Sequence, residues 1–361
     1  ILINVENAAP PNARIFTFGV GNDVDTFLLD QLVQAFRGAG TYVRPEERID
    51  EEVSNLYNKI SAPVLTNLEL EVDGVLVEDM YPAAPLPDLF IGTQLIVVGR
   101  YRDGGATSVK LIGELDGEQK VYTYESDFRD NAGGEVFIPR LWATRKIGAL
   151  LNAIRLYGED PELVDSIVRL SIRYGIITPY TSFLITEDDI FSQQGREEAE
   201  VNFQSQTDDS FGVASGEGAV AASETTAGLA DAEAPMAAPT MTLLPTGTPA
   251  PGVVFRDDQA KDSDDDDDGG FIGGYDEAAS DHNAAGSTPL QYVSDRTFVW
   301  RDGAWVDTLY DSDEMEPVEV VFLSDEYFEL LDLDPLVGEF LALGDHVLFV
   351  WDDVAYEVVP E

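Results

Sequence analysis

The sequence predicts a multidomain protein of the α/β plus β class, with a parallel α/β region, a β-sandwich-like region, a helical hairpin and a small, mainly β domain. Its 361 residues allow two or three domains, and a hydrophobic content of 44% is enough for real cores. The spacing of apolar residues changes along the chain from a mixed to an alternating and then to a helical period. Residues 187–288 show no such period, so we expect them to separate two folded parts.

Residues 1–61 are predicted to form the α/β region. The segment RIFTFGVGNDVDTFLLDQL indicates a buried strand at Ile15–Phe18, a glycine turn, and a helix whose N-cap is Asn22 or Asp23. A second strand at Thr41–Val43 and a second helix at about Glu47–Ile60 complete a β-α-β-α run. Such a run is typical of a parallel sheet.

The glycine turn in this segment could hold a phosphate, border a metal or simply connect two elements. A dinucleotide fingerprint needs a third small residue where this chain has Val24. Asp23 and Asp25 at the start of the helix would also repel a pyrophosphate. We therefore interpret the turn as structural.

The charge of the chain excludes one class of partner. The formal net charge is −48 at pH 7, and both the linker and the remainder of the chain are acidic. Nucleic acid is not an expected partner, because neutralising its phosphates needs clustered Lys and Arg. The chain has no Cys, which excludes disulfides and thiolate metal sites.

The first residues show no targeting signal. They contain no leading Met, no signal peptide and no apolar run of about 18 residues. Ile1–Ala9 has the pattern of a helix end. We therefore expect the chain to begin inside a domain, with any targeting segment or membrane anchor outside it.

The middle of the chain is predicted to hold a β-sandwich-like region at 62–140 and a helical hairpin with an extended exit segment at 141–186. Alternating stretches such as LTNLELEVDG, TQLIVVGRY, TSVKLIGELDG and EQKVYTYESDF indicate short antiparallel strands. Four or five strands make a thin sandwich, and some of them are expected to pair with segments that precede residue 1. In the hairpin, Gly158 suits a C′ position, Asp160 an N-cap and Pro161 the first helical turn. The apolar stripes of its two helices run through Ile147, Leu150, Leu151 and Ile154, and through Leu163, Ile167, Leu170 and Tyr174.

The last two regions are a disordered acidic linker at 187–288 and a small, mainly β domain at 289–361. The linker is rich in Ala, Thr, Pro, Gly and Asp, and has too few large apolar residues to offset the entropy of ordering. The domain is predicted to contain one hairpin turning at Arg301-Asp302-Gly303 and another at Asp352-Asp353. Ser324 is the expected cap of a helix between them.

The sequence offers little for catalysis or metal binding. Only His282 and His346 are present, so a His-based triad or zinc site has no support, and we interpret His346 as structural. The run Asp264, Asp266 and Asp268 resembles the first half of a calcium loop, but Tyr275 occupies the position of the final Glu. These three carboxylates remain a calcium candidate, with a solvated charge run as the alternative. No catalytic or cofactor-binding residue is predicted.

Several stretches together resemble bacterial proteins that join a VIT domain to a von Willebrand factor type A domain, relatives of the inter-alpha-trypsin inhibitor heavy chains. The stretches are RIFTFGVGNDVDTFLLDQLVQAFRGAG, YNKISAPVLTNLEL, the long helical stretch that ends in YGIITPYTSFLI and, more loosely, DRTFVWRDGAWVDT, SDEYFELL and FLALGDHV. The resemblance covers about residues 1–186 and 289–361 and is absent from the linker. It implies that residues 1–61 are the C-terminal part of a Rossmann-like von Willebrand A domain.

The resemblance also implies a function. It implies a non-enzymatic adhesion or scaffold protein, extracellular, cell-surface or periplasmic, that binds a protein ligand or a matrix component. A divalent cation, Mg or Ca, would mediate binding in loops that precede Ile1, so this chain itself would hold no cofactor. The alternative is an intracellular assembly factor that acts with an ATPase partner.

Overall fold

A computed structural model describes residues 1–10, 12–129, 137–176, 211–234, 290–294 and 296–360, together with residues 135, 195 and 201. These residues form a mixed α/β protein with four sheets in the described part of the chain. The general class predicted from the sequence is therefore confirmed. No helix within these ranges combines the length and the apolar character that crossing a bilayer requires.

The N-terminal α/β region has the predicted β-α-β-α order. Its two strands pair in parallel, from Thr17 opposite Gly40 to Val20 opposite Val43. Its elements are α1 (Leu2–Ala8), β1 (Thr17–Val20), α2 (Thr26–Ala35), β2 (Gly40–Val43) and α3 (Ile49–Ile60).

The N-cap of α2 differs from the prediction. The cap is Asp25, whose Oδ1 accepts the N–H of Leu28 at 3.0 Å, and it is neither Asn22 nor Asp23. Thr26 fixes this start, because its N–H and its hydroxyl both donate to the carbonyl oxygen of Ala214, at 2.8 and 3.0 Å. A contact with a distant part of the chain therefore decides where the helix begins.

The β-sandwich-like region contains two antiparallel sheets. One has the order β5-β3-β7-β8 and the other pairs β4 with β6. Residues 137–140, which the sequence analysis placed in this region, belong to the next helix instead. The strands are β3 (Pro63–Val72), β4 (Leu76–Tyr81), β5 (Leu89–Phe90), β6 (Val98–Arg102), β7 (Gly105–Leu115) and β8 (Glu118–Phe128).

The helical hairpin consists of α4 (Phe137–Tyr157) and α5 (Pro161–Tyr174). Its turn chemistry is as predicted: Gly158 has φ 96° and the Asp160 side chain caps α5 by accepting the N–H of Glu162 at 2.9 Å. Gly175 ends α5 in the left-handed conformation with φ 55°. The predicted exit segment from residue 177 onward lies outside the described residues.

A further helix, α6 (Glu217–Ala230), lies inside the stretch predicted to be a disordered linker. The prediction is wrong for residues 211–234, and the remainder of 187–288 lies almost entirely outside the described residues. Ala219 and Ala222 on α6 are each 1% exposed. On α4, a Cβ added to Gly148 would lie 2.3 Å from the backbone nitrogen of Ala230. The two helices are therefore in close backbone contact, which small residues allow without large apolar side chains.

The C-terminal region is a six-stranded mixed sheet in the order β12-β14-β13-β11-β10-β9, with two short helices. Both predicted hairpins are present, since Arg301 pairs with Ala304 and Trp351 pairs with Val354. Ser324 caps the first of the helices, as predicted. The elements are β9 (Leu290–Val293), β10 (Arg296–Arg301), β11 (Ala304–Asp307), β12 (Val318–Val321), α7 (Asp325–Leu331), α8 (Pro335–Leu341), β13 (Val347–Trp351) and β14 (Val354–Val359).

The two faces of this sheet pack on different helices, as the alternation of a strand requires. Phe298 and Phe349 face α7 and α8 in one apolar cluster. Val299 and Leu348, their neighbours along the strands, face a second cluster that is built mainly from α4, α5 and α6. The C-terminal sheet and the helical hairpin therefore share one hydrophobic core.

Candidate protein-interaction site

Asp30 on α2 is the centre of a polar junction that joins four elements. Its Oδ2 accepts hydrogen bonds from Arg155 on α4 and, at 2.6 Å, from the hydroxyl of Ser223 on α6. Its Oδ1 accepts the hydroxyl of Tyr42 on β2 at 2.7 Å. Burial, reinforced by the charge of Asp30, raises the pKa of Tyr42 above its usual value, so Tyr42 remains a hydrogen-bond donor.

This junction contains a Ser and a carboxylate, but it is structural. Ser223 is 3% exposed and Arg155 is 3% exposed, so no substrate reaches the hydroxyl. A nucleophilic Ser also needs a general base that can accept its proton, whereas Asp30 is held by an arginine. The group therefore positions α6 and the α/β region on α4.

Arg145, ten residues before Arg155 on the same helix, forms a second buried anchor. Its Nε donates to the carbonyl oxygen of Ala232 at 2.8 Å, and its Nη1 donates to that of Ile96 at 2.6 Å and to that of Tyr81 at 3.4 Å. Burial lowers the pKa of Arg145, and the acidic Asp231 and Glu233 oppose this effect. One guanidinium thus ties the end of α6 and the β-sandwich-like region to α4.

A third polar network lies between the α/β region and β3. Arg14 forms a bidentate ion pair with Asp88, with Nε–Oδ2 and Nη2–Oδ1 distances of 2.6 and 2.9 Å. Asn67, at φ 52° on a bulge of β3, accepts from Arg14 at 2.8 Å and from Arg37 at 3.2 Å through its Oδ1. Its Nδ2 donates to Glu114 at 2.9 Å, so the bulge is held from both sides.

Beside this network lies a cleft of about 730 Å³, between β3 and the segment that follows β4. Leu68 and Leu86 form part of its apolar wall and are only 2% and 1% exposed. Glu69 and Glu71 lie at its edge with exposed side chains, and Arg37 lies at one end. A concave surface of this size with an apolar wall and a polar edge is the kind of feature that binds a ligand.

The sequence-predicted site residues are not brought into this cleft. Asp264, Asp266 and Asp268 lie outside the described residues, as does His282. His346 lies in the bend directly before β13, where its Nε2 is 3.2 Å from Oε1 of Glu357 on β14. Among the residues that the structure describes, no three His, Cys, Asp or Glu side chains are placed to hold a metal ion.

Sequence reasoning missed the cleft and the buried arginines. One signal was available, because Asn is disfavoured in the middle of a strand, and its place in the alternating segment of β3 indicated an irregularity such as a bulge. The Pro-rich stretch YPAAPLPD was a second signal, of an irregular segment beside the sheet. Neither signal shows which strands meet, so the cleft itself could not be predicted.

Comparisons with known proteins match about half of the chain, although no protein-family model matches it. The chain is 28% identical over 214 residues to inter-alpha-trypsin inhibitor heavy chain H6 of Homo sapiens, covering 54% of this chain and 16% of the relative. It is 29% identical over 190 residues to a von Willebrand factor A domain-containing protein of Dictyostelium discoideum, covering 51% of this chain and 21% of the relative. Inter-alpha-trypsin inhibitor heavy chain H3 of Rattus norvegicus is 26% identical over 196 residues, covering 51% and 22%.

The chain spans less than a quarter of the length of each of these three relatives. These relatives come from two groups, and both are groups that the sequence resembles. About half of this chain is homologous to inter-alpha-trypsin inhibitor heavy chains and von Willebrand factor A domain-containing proteins.

Proposed function

We propose that this chain belongs to a non-enzymatic adhesion or scaffold protein that binds a protein ligand or matrix component outside the cell, at its surface or in the periplasm. The observation that supports the proposal is the homology of half the chain to inter-alpha-trypsin inhibitor heavy chains and von Willebrand factor A domain-containing proteins. In the proposed protein a divalent cation, Mg or Ca, lies in loops of the A domain outside residues 1–361. A ligand carboxylate completes its oxygen shell, as a hard cation prefers.

The described residues have the properties of a support in this proposal. The α/β region, the β-sandwich-like region and α6 are all fixed to α4 by buried side chains, namely Arg155 and Arg145. A rigid junction of this kind keeps the A domain at a fixed orientation to the rest of the protein. A force applied to the C-terminal sheet is then transmitted to the ligand site through the packed helices.

The proposal is tested with the complete protein, including whatever sequence precedes residue 1. Its binding to immobilised collagen, fibronectin and laminin is measured by biolayer interferometry in Mg²⁺, in Ca²⁺ and in EDTA. We expect binding to at least one surface that EDTA abolishes and Mg²⁺ or Ca²⁺ restores. Binding that is unchanged by EDTA would contradict the cation-dependent site. Co-purification with an ATPase, together with no affinity for these surfaces, would instead favour the intracellular assembly factor.

A further inference from the structure

The central strand β3 has an open edge beside the cleft. Along Thr66–Val72 it pairs with β7 on one side. On the other side it pairs only with the two-residue strand β5, at Pro63 and Leu65. Within the described ranges, no strand lies beside the rest of β3 on that side.

The backbone groups of β3 face this open side at every second residue. Asp73 N–H donates to the carbonyl oxygen of Ser108 on β7 at 3.0 Å, so Asp73 and, by alternation, Glu71 point their backbone groups toward β7. Leu70 and Val72 therefore point theirs away from β7, toward the open side. A donor and an acceptor at each of these residues are available to another strand.

The side chains of the same stretch have two distinct faces. Leu68 and Leu70 face the small apolar cluster of this region, where Leu68 is 2% exposed. Glu69 and Glu71 alternate with them and are exposed to solvent. A strand placed along this edge would therefore have one apolar face and one face opposite carboxylates.

We propose that the open edge of β3 binds an extended segment of a partner protein as an added strand, and that this segment alternates apolar residues with Lys or Arg. Main-chain hydrogen bonds to Leu70 and Val72 provide affinity, and the alternate side chains provide specificity. The basic side chains pair across the strands with Glu69 and Glu71. This site needs no metal ion, so it is separate from the cation-dependent site proposed above.

The charge of the chain favours a basic partner over a second copy of itself. The formal net charge is −48, and an edge that carries two carboxylates repels the same edge of another copy. A partner strand with Lys or Arg on the face that lies beside Glu69 and Glu71 places its positive charges next to their negative charges. Acidic residues on an exposed edge thus disfavour pairing between two copies of this chain and favour the binding of a cationic segment.

The test uses a fluorescein-labelled peptide of about seven alternating Lys and Val residues, a usual strand length, and measures its binding to the 361-residue chain by fluorescence anisotropy. Because any cationic peptide is attracted to so acidic a chain, two controls isolate the strand. One control peptide has the same sequence with an N-methyl group on every residue, which removes the backbone donors of both strand edges. The other has the same composition with the Lys and Val residues in separate blocks.

We expect the alternating peptide to bind in the presence of EDTA, and both control peptides to bind at least about tenfold more weakly. In the chain, the double substitution Glu69→Lys and Glu71→Lys is expected to weaken binding about tenfold as well. Its matched control is Glu329→Lys and Asp332→Lys, which makes the same change in charge at exposed positions at the end of helix α7, where no strand edge is offered. This control is expected to change binding less than about twofold.

Equal binding of the N-methylated and unmodified peptides, or equal effects of the two double substitutions, would overturn the proposal and indicate general attraction to an acidic surface. No binding of the alternating peptide would overturn it as well. Binding to the 361-residue chain that is lost in the complete protein would show that another segment of the same polypeptide occupies the edge, which also contradicts an external partner. Each of these results is independent of the adhesion assay, because that assay depends on the cation.

Discussion

Arg155 on α4 donates a hydrogen bond to Asp30 on α2, and the two residues lie 125 positions apart in the sequence. Their side chains are 1% and 16% exposed. The pair holds the α/β region on α4, which packs against α5, the helix that contacts strand β10 of the C-terminal sheet. A buried ion pair of this kind contributes little net stability compared with apolar residues, but the loss of one partner leaves an uncompensated charge.

Replacement of Asp30 by Asn is expected to lower the free energy of unfolding by about 3–5 kcal/mol, because the Arg155 charge stays buried without its partner. Urea unfolding followed by circular dichroism measures the change. The matched control is Asp165→Asn, which breaks the exposed pair with Arg169 and should change stability little. Adding Arg155→Met to Asp30→Asn should recover part of the loss, and equal effects of Asp30→Asn and Asp165→Asn would contradict the buried junction.

The contact between α4 and α6 predicts that replacing two glycines by Ala changes the stability in opposite directions. Gly148→Ala is expected to destabilise the protein by about 1–3 kcal/mol, because the new Cβ would meet the backbone of Ala230. Gly228→Ala, on the open side of α6, meets nothing within 4 Å. It should be neutral or stabilise by up to about 1 kcal/mol through helix propensity. Thermal unfolding of the two variants distinguishes a docked α6 from a disordered one. If α6 were disordered, Gly148→Ala would not lower the stability.

The shared core predicts that the two ends of the chain remain together after cleavage. A specific protease site inserted between residues 261 and 262 is cut, and the products are separated by size-exclusion chromatography. We expect the two pieces to elute together, because Val299 and Leu348 pack in the cluster of α4 and α5. Hydrogen bonds add to this contact: the Tyr292 hydroxyl donates to the carbonyl oxygen of Gly175 at 3.0 Å, and the Thr297 hydroxyl donates to that of Arg173 at 3.0 Å.

Two substitutions show whether the pieces associate through the shared core or through another part of the C-terminal sheet. Val299→Asp, at a position 5% exposed, should release the C-terminal piece. Val318→Asp, at a position 49% exposed on β12, should leave the pieces associated. Separate elution of the unsubstituted pieces would show that the C-terminal domain is independent.

Alkaline pH should weaken the fold through Tyr81. Burial, reinforced by the charge of Asp79, raises the pKa of Tyr81 to about 12 from a usual value of 10.0. The folded state therefore resists ionisation more than the unfolded state, so the stabilisation is complete below about pH 10 and is lost as the pH rises through the folded pKa. Tyr81→Phe should show a smaller loss of stability over this range in urea unfolding. Tyr57→Phe, at a position 66% exposed, is the control and should follow the unsubstituted chain.

The elements that sequence reasoning predicted well are those with local signals. Asp160 and Gly175 bound α5 as expected, because a cap and a left-handed glycine act within one turn of the helix. Asp302 and Gly303 both have positive φ, which is the geometry of a two-residue hairpin and favours these residue types. The parallel pairing of β1 and β2 followed from the β-α-β-α order alone.

The features that sequence reasoning missed depend on contacts between residues that are distant in the sequence. The composition of α6 resembles that of a disordered segment because Ala219 and Ala222 are small. Small residues still stabilise a helix when they let it approach another backbone, here at Gly148, and composition does not reveal that approach. Likewise, neither the sequence of β3 nor that of β5 shows that β5 pairs with only the first residues of β3, which creates the open edge.

The proposed location of the cation site outside residues 1–361 is tested most directly by isothermal titration calorimetry with Mg²⁺ and Ca²⁺. The complete protein and the 361-residue chain are titrated under the same conditions. We expect a saturable site with one equivalent of ion in the complete protein, and no saturable binding by the 361-residue chain. A saturable site in the 361-residue chain that is lost when Asp264, Asp266 and Asp268 are replaced by Asn would contradict this location and identify that run as a real calcium site.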